Sequence, residues 1–157
     1  MPEEPVWYPH GAILTFEEIA RVAQVAIAFG VGKLRVTGGE PLVRRDVTTL
    51  IGSLAALPGL TDLSLTTNGV LLEPLAEGLA RAGLRRVNVS LDTLDRDRFA
   101  RMSGRDRLPQ VLRGLAAAAS AGLGPIKINA VLLRGENEEE AVDLVRFGRD
   151  HGYEVRF

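Results

Sequence analysis

Residues 34–42 read Leu-Arg-Val-Thr-Gly-Gly-Glu-Pro-Leu, and this stretch decides the fold. Apolar and polar residues alternate from 34 to 37, which predicts a β-strand. The strand ends at Gly38-Gly39, where two residues without a Cβ let the backbone take positive φ and come close to a ligand. Glu40 follows, and Pro41 then fixes φ and disfavours the helical region for the residue before it. The stretch therefore predicts a strand end with exposed amides, an adjacent carboxylate and a stiff exit.

Such a strand end suits the binding of an amino acid. The ammonium of the ligand would lie on Glu40, and backbone groups at Gly38 and Gly39 would hold its carboxylate. The alternative is an ordinary strand-to-helix turn, which Gly-Gly by itself would favour. Glu-Pro directly after the two glycines makes the pattern more specific than such a turn.

Further strands are predicted near residues 62, 86, 126 and 154, in runs that are rich in aliphatic residues. Helical periodicity predicts helices between them, and the candidate helix caps are Thr15 with Glu18, Asp46, Asp92, and Asn137 with Glu140. The alternation of helices and strands favours an α/β fold with a parallel sheet. This sheet either curves as part of a (β/α) barrel or lies open and doubly wound. In both architectures ligands gather at the carboxyl ends of the strands.

Polar side chains recur at or near those carboxyl ends. Thr66 lies close before an Asn-Gly turn, and Asn88 and Ser90 share one face of the next strand. Lys127 shares a face with Asn129 on the strand after that. A charged lysine in a strand interior is costly unless it is paired or meets an anion. Lys127 is therefore either a solvent-facing residue of an edge strand or a ligand for an anion.

Composition and length exclude several classes of function. A net charge of −1 and a pI near 6.1 give no reason to expect binding to nucleic acid or to an anionic membrane. No run approaches the ~20 apolar residues of a membrane span, and the N-terminus does not read as a signal peptide, so we expect a cytoplasmic location. No G-x-G-x-x-G follows a predicted strand, which disfavours a Rossmann-type dehydrogenase.

Three motifs resemble those of a known family. Arg-Val-Thr-Gly-Gly-Glu-Pro-Leu is similar to the S-adenosylmethionine-binding segment of radical SAM enzymes, in particular the GTP 3',8-cyclases of molybdenum cofactor biosynthesis. Leu-Thr-Thr-Asn-Gly and Val-Ser-Leu-Asp resemble two further motifs of those cyclases. The resemblance implies a partial radical SAM (β/α) barrel. It also implies that S-adenosylmethionine is bound by Gly38, Gly39, Glu40 and Ser90, and GTP by Arg35, Thr66 and Lys127.

The family also uses [4Fe-4S] clusters held by cysteines, and the sequence has no cysteine. The leading Met-Pro-Glu-Glu resembles the residues that follow the cysteine run of the family, and the chain ends within a predicted strand. We therefore expect residues 1–157 to be one incomplete barrel domain, inactive alone and self-associating through uncovered strand edges. The alternatives are a non-catalytic fragment that binds a nucleotide or S-adenosylmethionine, and a different radical SAM enzyme.

Overall fold

The computed structural model describes residues 13–157, so the loop predicted for the first eleven residues lies outside the described range. Helices and strands alternate along most of the described chain, as predicted. The strands are β1 (Lys33–Val36), β2 (Asp62–Thr67), β3 (Arg86–Ser90), β4 (Lys127–Asn129) and β5 (Glu154–Arg156). The helices are α1 (Phe16–Ala28), α2 (Val47–Ala55), α3 (Leu72–Arg81), α4 (Arg96–Ser103), α5 (Leu108–Ser120) and α6 (Ala141–His151).

The five strands form one parallel sheet in the order β1-β2-β3-β4-β5, and each strand pairs with the next along the chain. Each new strand is added on the same side of the strand before it. Right-handed crossovers therefore place every connecting helix on the same face of the sheet. A doubly wound sheet would reverse its strand order instead. The structure therefore confirms a partial (β/α) barrel and excludes the doubly wound alternative.

The two faces of the sheet differ in chemistry. Strand residues such as Leu65, Val87 and Ile128 are fully buried in one core with the helices. On the opposite face, the residues that pair across neighbouring strands are polar. For example, Ser64 lies beside Arg86, and Asn88 lies beside Lys127. We call this opposite side the polar face, and it comprises Lys33, Arg35, Asp62, Ser64, Thr66, Arg86, Asn88, Ser90, Lys127, Asn129, Glu154 and Arg156.

The predicted cap of α1 is confirmed, because Thr15 and Glu18 exchange both hydrogen bonds of a capping box. Asp46 does occupy the N-cap position of α2, but in the left-handed region at φ 57°, and its side chain accepts no capping bond from the described residues. The reason is geometric, since a capping side chain needs an extended backbone. Asp46 was thus located correctly and given the wrong role.

Two further cap predictions are wrong. Asp95, not Asp92, caps α4, and the Asp92 carboxylate instead accepts a hydrogen bond from Val131 N at 2.8 Å. Asn137 and Glu140 do not form a capping box, because both side chains bond to the loop that follows β3. At these three positions the side chain has a tertiary partner in place of the predicted local cap bond.

No helix in residues 13–157 is both long enough and apolar enough to cross a lipid bilayer.

Candidate functional site

The Gly38-Gly39 pair lies exposed at the carboxyl end of β1, as predicted. Apart from adjoining residues, no atom of the described chain lies within 4 Å of a Cβ built on either glycine. Gly38 has φ +158°, a conformation that residues with a Cβ rarely adopt, so the backbone at this position favours glycine. Packing within the described chain requires glycine at neither position. The space beside the two glycines is open to a ligand that approaches the backbone.

Glu40 joins the end of β1 to the end of β2 through its side chain. Its Oε1 accepts hydrogen bonds from Leu42 N at 3.0 Å and Thr67 Oγ1 at 2.7 Å, while its Oε2 accepts one from Asn68 N at 2.7 Å. These bonds hold the carboxylate against the protein. The sequence pattern did not predict this link, and the binding of a ligand ammonium by Glu40 stays a prediction.

The turn after β2 is oriented by its own hydrogen bonds so that it donates to the Glu40 carboxylate. Thr67 Oγ1 also accepts a hydrogen bond from Gly69 N at 3.0 Å, which orients the hydroxyl hydrogen towards Glu40. Gly69 has φ +80°, and a Cβ there would lie 2.9 Å from Val89 Cγ1, so only glycine fits. The predicted Asn-Gly turn is thus confirmed at the strand end.

Thr66 and Ser90 lie on the polar face, on the neighbouring strands β2 and β3. Thr66 is the register partner of Asn88, whose buried amide donates to Thr66 Oγ1 at 3.3 Å. The two polar residues predicted to share a face of β3 therefore differ in their surroundings. The Asn88 amide is hydrogen-bonded within the protein, whereas Ser90 is exposed beside Asn129. The structure brings Gly38, Gly39, Glu40, Thr66 and Ser90 to one edge of three adjacent strands.

Lys127 is mostly buried and already has a partner. Its Nζ lies 2.6 Å from Oε2 of Glu154, and its side chain is only 13% exposed. The hydrogen bond from Lys127, and then that from Arg156, lowers the pKa of Glu154 below its ordinary value. The structure thus confirms that the lysine charge is paired. A role for Lys127 in nucleotide binding stays a prediction.

Arg35 is exposed on β1, three strands away from Lys127. At the usual spacing between strands, the backbones at these two positions are roughly 14 Å apart. The two cations can contact different parts of a larger anionic ligand that lies across the polar face.

Sequence reasoning missed a second carboxylate at the same edge of the sheet. Glu140 is buried, with Oε1 accepting from Thr93 Oγ1 at 2.6 Å and Oε2 accepting from Leu94 N at 2.8 Å. Arg98 forms an ion pair with it. These partners lie more than forty residues away in the sequence, so no local pattern could have indicated them.

The described residues do not fit an iron–sulfur cluster. The sequence has no cysteine, and no group of three His, Asp or Glu residues within 13–157 is placed to hold a metal ion. Thiolates are the usual ligands of such clusters.

Comparison with known proteins identifies the class. A sequence profile of the Radical SAM superfamily matches residues 4–148, so the chain belongs to the radical SAM superfamily. The structure of TYW1 with a lysine-pyruvate adduct bound matches with a TM-score of 0.59 at 19% identity, over 92% of this chain and 51% of that one. At that identity the likeness supports the fold alone.

Several curated relatives carry the name GTP 3',8-cyclase. The Moorella thermoacetica protein is 49% identical over 148 residues, which cover 94% of this chain and 46% of the relative. The Listeria monocytogenes protein is 44% identical over 158 residues, covering 100% and 47%. The chain thus spans about half the length of the relatives it matches.

Proposed function

We propose that these residues form the part of a GTP 3',8-cyclase, a radical SAM enzyme of molybdenum cofactor biosynthesis, that binds S-adenosylmethionine and GTP. The observation that carries the proposal is the convergence of the motif residues on one edge of the sheet, next to the polar face. The names of the relatives, at 44–49% identity, agree with it.

S-adenosylmethionine would lie against Gly38 and Gly39. The open space beside these glycines admits the methionyl part of the ligand, because no side chain of residues 13–157 fills it. Exposed backbone groups there suit both ends of a zwitterion. Ser90, exposed two strands away, supplies a hydroxyl for the remainder of the ligand.

GTP would lie across the polar face. Arg35 and Lys127 provide cations at its two sides, and Thr66 provides a hydroxyl between them. Arginine and lysine are both suited to phosphate, arginine through its planar fork and lysine as a point charge. The Glu154 carboxylate, which now holds Lys127, is the group that a phosphate would have to displace.

In a complete enzyme of this family, a [4Fe-4S] cluster held by thiolates would supply the electron that cleaves S-adenosylmethionine. The 157 residues contain no thiolate for such a cluster. We therefore expect the chain by itself to bind both ligands without converting GTP. This absence of cysteine also favours the second candidate function, a non-catalytic module that binds a nucleotide or S-adenosylmethionine.

Titration calorimetry of the 157-residue chain with S-adenosylmethionine tests the site directly. Gly39→Val should weaken binding at least about tenfold, or 1.4 kcal/mol, because its side chain occupies the proposed ligand space. The unfolding free energy should change little, since that space is empty of protein atoms in the described chain. Gly52→Ala on α2 is the control, because its Cβ comes no closer than 4.0 Å to another residue.

Two results would contradict the proposal. One is a wild-type chain that does not bind S-adenosylmethionine. The other is Gly39→Val binding the ligand as tightly as wild type and Gly52→Ala. Reconstitution with iron and sulfide, followed by an assay for 5'-deoxyadenosine, separates the candidates, because product from this chain alone would mean that residues other than cysteine hold the iron.

A further inference from the structure

Two carboxylates at the candidate site make the same pattern of hydrogen bonds. Glu40 accepts from Thr67 Oγ1 and from the N–H of the next residue, Asn68, at 2.7 Å each. Glu140 accepts from Thr93 Oγ1 at 2.6 Å and from the N–H of Leu94, again the next residue, at 2.8 Å. In both cases the threonine hydroxyl also accepts from the N–H two residues further on, at 3.0 Å.

The two arrangements lie on opposite sides of the site. Glu40 follows β1 and reaches forward to the end of β2, whereas Glu140 follows β4 and reaches back to the loop after β3. Each carboxylate thus joins the loops that follow two adjacent strands. We call them the first clamp (Glu40, Thr67, Asn68) and the second clamp (Glu140, Thr93, Leu94).

The second clamp is buried and is reinforced by its neighbours. Glu140 is 9% exposed and Thr93 is 0% exposed, so the charge is excluded from water and must be satisfied by protein donors. Asn137 extends the link, since its Nδ2 donates to Asp92 O at 2.7 Å and to Val131 O at 2.9 Å. The chain after Ser90 is therefore fixed to the chain after Asn129.

The groups that the clamps hold are those of the proposed site. Glu40 directly follows Gly39, so anchoring its carboxylate to β2 fixes the glycine backbone relative to Thr66. Thr93 lies three residues after Ser90, and its hydrogen bond to Glu140 fixes the end of β3. Hydrogen bonds to a carboxylate are stronger than neutral ones, so these links hold the loops more firmly than neutral hydrogen bonds would.

We propose that Glu40 and Glu140 are a matched pair of positioning residues, which hold Gly38-Gly39 and Ser90 at the separation that S-adenosylmethionine requires. This inference rests on the proposed function, and it assigns Glu140 a role that the sequence motifs do not contain. This role requires no contact between Glu140 and the ligand, and for Glu40 it is additional to the predicted contact with the ligand ammonium. Both act through the backbone of the loops they hold.

Amide hydrogen exchange of the 157-residue chain measures the clamps without any ligand. Glu140→Gln should accelerate exchange at Leu94 about tenfold, and Glu40→Gln should do the same at Asn68, because a neutral amide accepts more weakly than a carboxylate. Exchange at Val87 and Val89, in the middle of β3, should not change. Glu139→Gln is the matched control, since Glu139 also pairs with Arg98 at 2.6 Å but lies exposed outside the clamp.

Calorimetry at 15 °C then separates positioning from mere stabilisation. Glu140→Gln should raise the dissociation constant for S-adenosylmethionine about fivefold while leaving that for GTP unchanged, and Glu139→Gln should change neither. Thr93→Val has nearly the volume of threonine and removes only the hydroxyl. It tests the same clamp if Glu140→Gln does not fold.

Each outcome has one meaning. Unchanged exchange at Leu94 and Asn68 overturns the inference, because the carboxylates would not be holding the loops. Faster exchange with S-adenosylmethionine affinity equal to that of Glu139→Gln also overturns it, and leaves the clamps a purely structural role. Failure of the wild-type chain to bind S-adenosylmethionine overturns the proposed function and the inference together, and is thereby distinguished from the first two results.

Discussion

Lys127 Nζ lies 2.6 Å from Oε2 of Glu154, its register partner on β5. The lysine therefore has a protein carboxylate in the position where the proposed function places a phosphate. An exchange of one anion for another is possible only because Glu154 is about half exposed, at 47%, and can turn into solvent when the ligand arrives.

Lys127→Ala should weaken GTP binding about tenfold, because it removes one of the two cations assigned to the nucleotide. Lys33→Ala is a matched control, since Lys33 is the only other lysine and lies exposed at the opposite end of the polar face. Isothermal titration of each variant with GTP gives the comparison. Equal losses of GTP affinity in the two variants would mean that Lys127 has only a structural role.

Glu154→Gln provides the complementary test of the same pair. If the carboxylate competes with phosphate for Lys127, its neutralisation should tighten GTP binding about threefold, in the opposite direction to Lys127→Ala. Weaker binding would show instead that Glu154 orients the lysine for its ligand.

The stability of the chain should fall in acid, partly through Glu140. Burial raises the pKa of Glu140, but the hydrogen bonds from Thr93 and Leu94 and the charge of Arg98 lower it more, so the net pKa lies below 4.5. A depressed folded-state pKa stabilises the protein above the unfolded-state value, and this contribution is lost as the pH falls through the folded pKa.

Urea denaturation from pH 7 to pH 3 measures this contribution. Glu140→Gln should cost about 2 kcal/mol at pH 7, and the difference from wild type should shrink below about pH 4.5. Glu139→Gln, at the exposed acid that also faces Arg98, should show a small difference at every pH. A difference for Glu140→Gln that is constant from pH 7 to pH 3 would contradict the prediction.

Gly114 on α5 is required by close packing. A Cβ there would lie 2.6 Å from Gly69 O and 3.1 Å from Leu72 Cβ, so Gly114→Ala should destabilise the fold by about 2 kcal/mol. Gly52→Ala, on α2 with its nearest contact at 4.0 Å, should stabilise it by about 0.5–1 kcal/mol. Opposite signs in urea denaturation would confirm the packing argument, and equal signs would refute it.

Besides the strand edges, we expect the outer side of α1 to contribute to self-association. Val22, Val25 and Phe29 are 62%, 53% and 87% exposed at a spacing that puts them on neighbouring turns. In sedimentation velocity the wild-type chain should associate with increasing concentration, and Val25→Lys with Phe29→Lys should reduce this. Gln24→Lys adds charge to the same helix without removing apolar surface, and it should leave association unchanged. Monomeric wild type at high concentration would disprove the expectation.

The sheet could be predicted from the sequence because its signals are local. Parallel strands are indicated without knowledge of any long-range contact. The signals are the alternation at Leu34 and Val36, the aliphatic residues of β2 and β3, and the regular helices between the strands. The alternation by itself left the choice between barrel and doubly wound sheet open, and only the family resemblance implied the barrel, since the choice depends on the direction in which successive crossovers advance. That direction is a property of the assembled sheet.

The site was predictable only where its residues lie within motifs. Gly38, Gly39 and Ser90 were found at the expected edge, whereas the hydrogen bonds of Glu40 and Glu140 join residues that are distant in the chain. The predicted cap at Asn137 failed for the same reason, because its side chain is held by Asp92 O and Val131 O. A side chain with a local preference for capping a helix can instead form hydrogen bonds to a distant part of the chain.

The match between strand order and chain order has a consequence for folding kinetics. Every strand pairs with the strand one βα unit away, so the contact order of the sheet is low for a parallel architecture. Each new unit can dock on an edge that its predecessor has already formed, as expected for folding during synthesis. The candidate site is then assembled loop by loop, with the Gly38-Gly39 loop in place before the loop that carries Glu140 has been translated.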